Sequence, residues 1–175
     1  MKIVKETESE SMDTRVALHP SLAGMGRSQL PLLIDCAMAT DFDAGEVILR
    51  EGAVANRFYL IESGKVVLES GEEFGEPLVV VGTIGAGDLL GWSWMFPPYV
   101  WHFTARAIEP TKAIFFYGAI LREYCEKNHS LGYELFKRIA PVMLRRLQAA
   151  RKKMLSIHAH GEKLEPVIGL SPFMA

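Results

Sequence analysis

The sequence predicts a mainly-β fold with flanking α: a jelly roll, or double-stranded β-helix, with an N-terminal helix and a long C-terminal dimerisation helix. Three observations predict it. Between residues 39 and 118 short runs rich in Val, Ile, Phe and Tyr are separated by glycines at regular intervals, from Gly45 through Gly64 and Gly82 to Gly91. Short strands with turn residues between them form barrels and jelly rolls. Before that region, and again after residue 118 where glycines nearly vanish, apolar residues return to helical spacing.

The elements follow in chain order. Residues 1–15 are polar and acidic without an apolar period, and are expected to be a disordered leader. A turn near 20–25 leads to a helix near 27–38, in which Leu30, Leu33, Ile34 and Met38 share a face and Ser28 caps the start. Candidate strands are 46–50, 57–62, 65–70, 77–83, 101–108 and 111–117. Ser63-Gly64 between two alternating runs reads as a tight hairpin. "AILREYCEKN" is a short helix, closing a jelly-roll domain over 16–128.

A long helix over 129–158 comes next. Phe136, Ala140, Met143, Leu147, Ala150, Met154 and Ile157 are spaced four and three apart, the seam of a two-stranded coiled coil. Leu131, Leu135, Ile139 and Val142 form a second stripe, suited to the helix's own domain. The two stripes predict a homodimer; the alternative is one wide face turned to a single core. Pro141 lies inside the helix and removes a backbone hydrogen bond. Residues 159–175 are apolar but broken by Gly and Pro, an irregular tail.

Composition narrows the function. The chain has 175 residues, 49% hydrophobic and 23% charged, with a net charge of −2. That is an ordinary globular balance without a global pull toward nucleic acid or membrane. Cys36 and Cys125 have no CxxC partner, which points to a reducing compartment, the cytoplasm. No catalytic constellation can be assembled, and no cofactor or metal site is expected. His158 and His160 have metal-compatible spacing but stand in the tail. The helix basics Lys137, Arg138, Arg145, Arg146, Arg151, Lys152 and Lys153 read as a solvated face, or as a surface for an acidic partner or nucleic acid.

The stretch that demands explanation is "DLLGWSWMFPPYVWHFTAR", residues 88–106, which holds all three tryptophans of the chain. Together with "FDAGEVILREGAVANRFYLIESGKVVLE" and "IGAGDLLG" it resembles the cyclic-nucleotide-binding domain of the catabolite activator and fumarate-nitrate regulator family. "HPSLAGM" is similar to that of a stand-alone subgroup. The resemblance runs over about residues 19–157 and implies a regulatory, non-enzymatic, dimeric domain. In the family a cyclic phosphate is held by backbone N–H groups at a short helix and by an Arg on the next strand. A Glu takes the ribose hydroxyl.

Two departures qualify that expectation. After residue 158 too few residues remain for a helix-turn-helix reader, so sequence-specific DNA binding is not expected. In the cassette, Trp92 stands where the resemblance implies Glu, and either Trp101 or His102 stands where it implies Arg. The pocket residues are then Gly91, Trp92, Ser93, Trp94, Trp101, His102, Phe103 and Thr104. Either the rings fill the pocket as core, or they line it for a flat apolar or nucleotide-like ligand. The expected function is a ligand-sensing or partner-docking module signalling through its dimer helix. The alternatives are a genuine cAMP or cGMP binder with non-standard phosphate contacts, and a regulator touching nucleic acid through the basic helix.

Overall fold

The computed structural model describes residues 2–3, 11–71 and 79–159. The chain divides into two compact units, residues 1–140 and 141–175. In the first, strands β1 (Lys2–Ile3), β2 (Ala37–Phe42), β9 (Thr111–Tyr117), β4 (Arg57–Ser63) and β7 (Leu89–Leu90) form one antiparallel sheet in that spatial order. Strands β3 (Val47–Leu49), β8 (Thr104–Ala107), β5 (Lys65–Ser70) and β6 (Val79–Gly85) form the other. This is the predicted jelly roll.

Alternation along the strands sorts the side chains. Tyr59, Ile61, Val66, Leu68, Ala105, Ala107, Ala113 and Phe115 meet in one buried interior cluster. The opposite faces of β4 and β9 bury Phe58, Leu60, Ile114 and Phe116. Helix α3 (Gly118–Lys127) packs on β9 and on a 3-10 turn at Trp92–Met95. Helix α4 (His129–Ala159) begins in this unit, where Leu131, Leu135 and Ile139 are buried. Burial of each such side chain stabilises by about 1.5–3 kcal/mol.

The N-terminal region departs from expectation. Residues 1–15 are not simply a loose leader: Lys2–Ile3 pairs with β2, and helix α1 (Met12–Leu18) starts after Ser11, whose hydroxyl accepts from the Thr14 N–H. A 3-10 turn at Pro20–Leu22 occupies the expected turn. The helix expected over 27–38 is only α2 (Leu30–Ile34), entered at Gln29 rather than capped by Ser28. At Ala37 the chain becomes β2, because six residues there find a continuous hydrogen-bonding partner in β9. Tertiary pairing overrides a local helical pattern.

The Ser63-Gly64 hairpin is also corrected. β4 and β5 lie in different sheets and do not pair. Gly64, at φ 91°, carries the chain round a corner against β9's entrance. A Cβ there would sit 2.5 Å from the Pro110 carbonyl and 2.7 Å from the Thr111 Cα, so no side chain fits.

In the second unit α4 continues through Pro141, and the seam positions Leu147 and Met154 are 67% and 59% exposed. Leu131, Leu135 and Ile139 are buried, Ala140, Val142 and Met143 are half-buried, and Phe136, Leu147 and Met154 are exposed. Ile157 and His158 are helical, but their side chains, His160 and the tail from 160 to 175 lie outside what is described. Among the described residues no helix is long and apolar enough to cross a membrane.

Candidate functional site

Strand β7 ends at Leu90, and Gly91 at φ 84° turns the chain into the Trp92–Met95 turn. Glycine is needed here for a second reason. A Cβ would lie 3.0 Å from Trp101 Cη2 and 3.1 Å from both Trp101 Cζ3 and the Arg57 carbonyl oxygen. The six-membered ring of Trp101 thus rests directly on the Gly91 backbone. Trp101 is buried in the interior cluster with Phe42, Leu49, Tyr59, Leu90, Ala105 and Phe115, and Phe103 packs against the same cluster. Its backbone is fixed on both sides: the Trp101 N–H donates to Ala53 O and its carbonyl accepts from the Gly52 N–H, both at 2.9 Å. Between the two readings of the strand, the inward ring is Trp101, in phase with Phe103, Ala105 and Ala107. His102 is exposed.

The other predicted pocket residues separate from this ring. Trp94 does not face the barrel interior. It is fully buried on the outer face of the sheet, 6.0 Å from Phe58, with Gly118 beneath its Cβ. Its carbonyl accepts from Arg122 Nη1 at 2.6 Å, and the same guanidinium lies 4.5 Å over the Tyr99 ring. Thr104 is also removed from the pocket: its Oγ1 accepts from the Glu51 N–H at 3.1 Å. Both corrections follow from geometry. In a 3-10 turn residues two apart point in different directions, and along β8 neighbours alternate between faces. Arg106, one step further out, pairs with Glu69 at 3.2 Å and donates to Gly45 O.

Trp92, Ser93 and His102 form a third group. The His102 ring stacks on Trp92 with centroids 6.3 Å apart and planes 15° off parallel, and Ser93 Oγ lies 3.2 Å from His102 Nδ1. Trp92 meets Phe96 edge-on at 6.3 Å, and Phe96 meets Phe136 of α4 at 6.5 Å. A continuous run of rings therefore joins the turn to the first seam residue of the long helix. The Trp92 Nε1 is buried without a hydrogen-bond partner.

The family model for the cyclic nucleotide-binding domain matches residues 39–128, from β2 to the end of α3. The chain belongs to the cyclic nucleotide-binding domain family. A solved structure assigned to the cyclic nucleotide-binding proteins of Geobacter metallireducens GS-15 is 28% identical, covers 77% of this chain and 97% of its own, and superposes with a TM-score of 0.69. A cyclic nucleotide-binding domain from Methylobacillus flagellatus KT, 16% identical, covers 90% of this chain and 89% of its own with a TM-score of 0.74, a likeness of fold. Among curated proteins, a cAMP-dependent protein kinase regulatory subunit of Schizosaccharomyces pombe is 29% identical over 76 residues, 37% of this chain. That alignment spans 18% of the kinase subunit's length.

Within this cyclic nucleotide-binding domain, two residues that the sequence did not single out stand near the interior cluster. Arg57 opens β4 on the inward phase, and its guanidinium lies 5.4 Å over the Phe115 ring. Burial raises the Tyr59 phenol above its ordinary pKa, and the Arg57 charge opposes the rise. The period-two run Arg57, Tyr59, Ile61 is the signal that would have found them.

An open groove of about 280 Å³ lies apart from these rings, lined by Arg15, His19, Ile61, Glu62 and Gly87 among others. His19, expected as a turn residue, is buried there: Nδ1 accepts from the Ser21 N–H at 3.3 Å, leaving Nε2–H to donate to Ile61 O at 3.0 Å. Arg15 Nε donates to Glu62 Oε1 at 2.8 Å, so the groove's strong charges are already matched. Among the described residues no group of three or more His, Cys, Asp or Glu side chains is placed to hold a metal ion.

Proposed function

We propose that the protein is a non-enzymatic regulatory module whose nucleotide site is filled from within, and that it signals through α4 to a second copy. The observation that carries this is Trp101 lying on Gly91. The family resemblance implies a guanidinium at that position, facing a cyclic phosphate. An indole offers one N–H and a large apolar face, and leaves a phosphate charge without a counterion in a buried site, a loss of several kcal/mol. Ring burial favours the closed, ligandless interior.

The input is then an event at the group of Trp92, Ser93 and His102, entered through the exposed His102 ring, either a flat ligand or a docking protein. The contact order His102, Trp92, Phe96, Phe136 supports a route to α4. Displacing the first ring shifts the last between two packings, and α4 pairs differently in each. The exposed Leu147 and Met154, at heptad spacing, support pairing of two copies. Cys36 and Cys125 are unpaired thiols, and burial pushes each up to about 11, which leaves them unreactive.

A second reading, a true cAMP or cGMP binder, draws on family membership and on Arg57 as a substitute cation. Calorimetric titration of each nucleotide into the protein, with tryptophan fluorescence followed in parallel, separates the two. No saturable signal is expected. Saturable binding at micromolar concentration would establish the second reading.

A further inference from the structure

We infer that His19, Pro20 and Ser21 form a proton-sensitive clasp. With the His19 ring neutral, they fasten the N-terminal segment to the turn at residues 85–88, from which β7 runs into Gly91. Protonation of the ring loosens them. The inference does not rest on the pairing of α4.

Three consecutive residues grip the same turn. His19 Nε2–H donates to Ile61 O at 3.0 Å, and Ile61 O also accepts from the Gly87 N–H at 2.8 Å. The Ser21 hydroxyl donates to Gly87 O at 2.7 Å. Between them Pro20 rests on Gly87, where a Cβ would lie 3.2 Å from Pro20 Cγ. A further contact fixes the state of the ring: Nδ1 accepts from the Ser21 N–H at 3.3 Å, so the neutral ring carries its proton on Nε2. Past the turn, Leu89 and Leu90 pair with β4 and deliver the chain to Gly91, beneath Trp101. The clasp therefore holds the entry to the candidate site.

A second proton can go only to Nδ1. There it points at the Ser21 N–H, one donor against another, and neither keeps an acceptor. The ring must also carry a charge while buried. The charged groups around it are Arg15 of α1, Glu62 of β4 and Asp88 before β7. Glu62 is held by Arg15, and the Asp88 carboxylate accepts from the Gly85 N–H at 3.0 Å. The two carboxylates favour the protonated ring, but burial outweighs them and holds the ring below its ordinary 6.5. The clasped form thus binds the proton more weakly than the loosened form, and acid favours loosening. The open groove lined by Arg15, His19 and Gly87 brings solvent to the edge of the ring.

The test is hydrogen exchange of the full chain, read residue by residue by NMR from about pH 7.5 to about pH 5 and corrected for the pH dependence of intrinsic exchange. The His19 ring shifts are followed in the same samples. The Ser21 and Gly87 amides are expected to exchange more readily than those of β9 at every pH. Below the ordinary histidine value they should lose protection by up to about tenfold per pH unit, with the midpoint at which the ring titrates. At neutral pH the ring nitrogen shifts should be those of the Nε2–H tautomer. His19→Gln, which keeps an uncharged donor and acceptor, should remove the pH dependence. An Nδ1–H tautomer, amides still fully protected at about pH 5, or a loss at a pH where the ring does not titrate would each overturn the clasp. So would a pH dependence that survives in His19→Gln, or exchange of these amides only in step with β9, which is global unfolding. If His19→Gln does not fold, the comparison of midpoints in the wild type decides alone.

Discussion

Replacing Trp101 by Ala removes a buried ring from the interior cluster, the ring on which the proposed filled interior depends. A tryptophan buries about 150–250 Å², and at about 25 cal/mol per Å² that corresponds to about 4–6 kcal/mol of transfer free energy. Trp101 is only 5% exposed, so nearly all of this applies. Alanine keeps a small part, and the neighbours relax little. Gly91, Ala105 and Ala107 offer almost no side chain to fill the space, and Phe42, Tyr59, Leu90 and Phe115 would have to leave their own packing to reach it. Large-to-small changes of this kind cost about 3–5 kcal/mol, and that range is the expectation for urea unfolding of Trp101→Ala. Trp92→Ala removes a half-buried ring from the surface stack and should cost about 1–2 kcal/mol by the ordinary range for single changes.

The same variant should open an apolar hole shaped like the lost indole. Indole added to Trp101→Ala is expected to raise its melting temperature in a concentration-dependent way and to leave the wild type unchanged. A loss below about 1 kcal/mol, inside the range of surface substitutions, or stabilisation of the wild type by indole, would refute the argument. Either result would mean that the interior is already open or that the ring does not support it.

Leu147→Glu places a charge on the proposed seam and should convert a dimer to a monomer by light scattering; a wild type that is itself monomeric ends the pairing scheme. Arg122→Ala removes both the bond to the Trp94 carbonyl and the stack on Tyr99, and about 1–3 kcal/mol of stability is expected to go with them. Arg122→Lys should recover only part, and full recovery would reduce the role to a point charge. Burial holds His19 below its ordinary 6.5, so the unfolded chain takes up the proton first. Its contribution is complete above about pH 6.5 and is lost as the pH falls through the folded-state value, against the opposing charges of Glu62 and Asp88. His19→Gln should flatten that acid slope in urea midpoints, and an unchanged slope would place the titration elsewhere.

Most strands could be read from the sequence because turn glycines and alternating apolar residues mark β4, β5 and β9 within a residue or two. β2 could not. Met38 continues the spacing of Leu30, Leu33 and Ile34, and only the distant β9 decides that Ala37–Phe42 extends instead. Gly64 was legible as a sharp turn but not as a corner between sheets, since that depends on its fit against Pro110 and Thr111. At the site, period two through Phe103, Ala105 and Ala107 was enough to turn Trp101 inward. Trp94 was misjudged for the opposite reason. Clustering in sequence suggested one pocket, yet a 3-10 turn sends side chains two residues apart to different sides of the same sheet.

On the proposed reading, that separation lets a filled barrel still regulate. The pocket on that reading lacks the guanidinium that the family resemblance implies, and an apolar ring is then a more stable occupant than a phosphate. Once Trp101 closes the interior, a signal that enters through the barrel would first have to expel a nearly buried tryptophan. The neighbouring residue has no such barrier. His102 is exposed, shares a ring stack with Trp92 and a hydrogen-bond contact with Ser93, and connects through Phe96 to Phe136 on α4. On the proposed reading, one step along the segment that leads into β8 divides two roles: Trp101 fixes the core, and His102 occupies the accessible end of the path to the helix. Changes at Trp101 should therefore move stability, and changes at His102 should move the behaviour of α4 with little effect on unfolding.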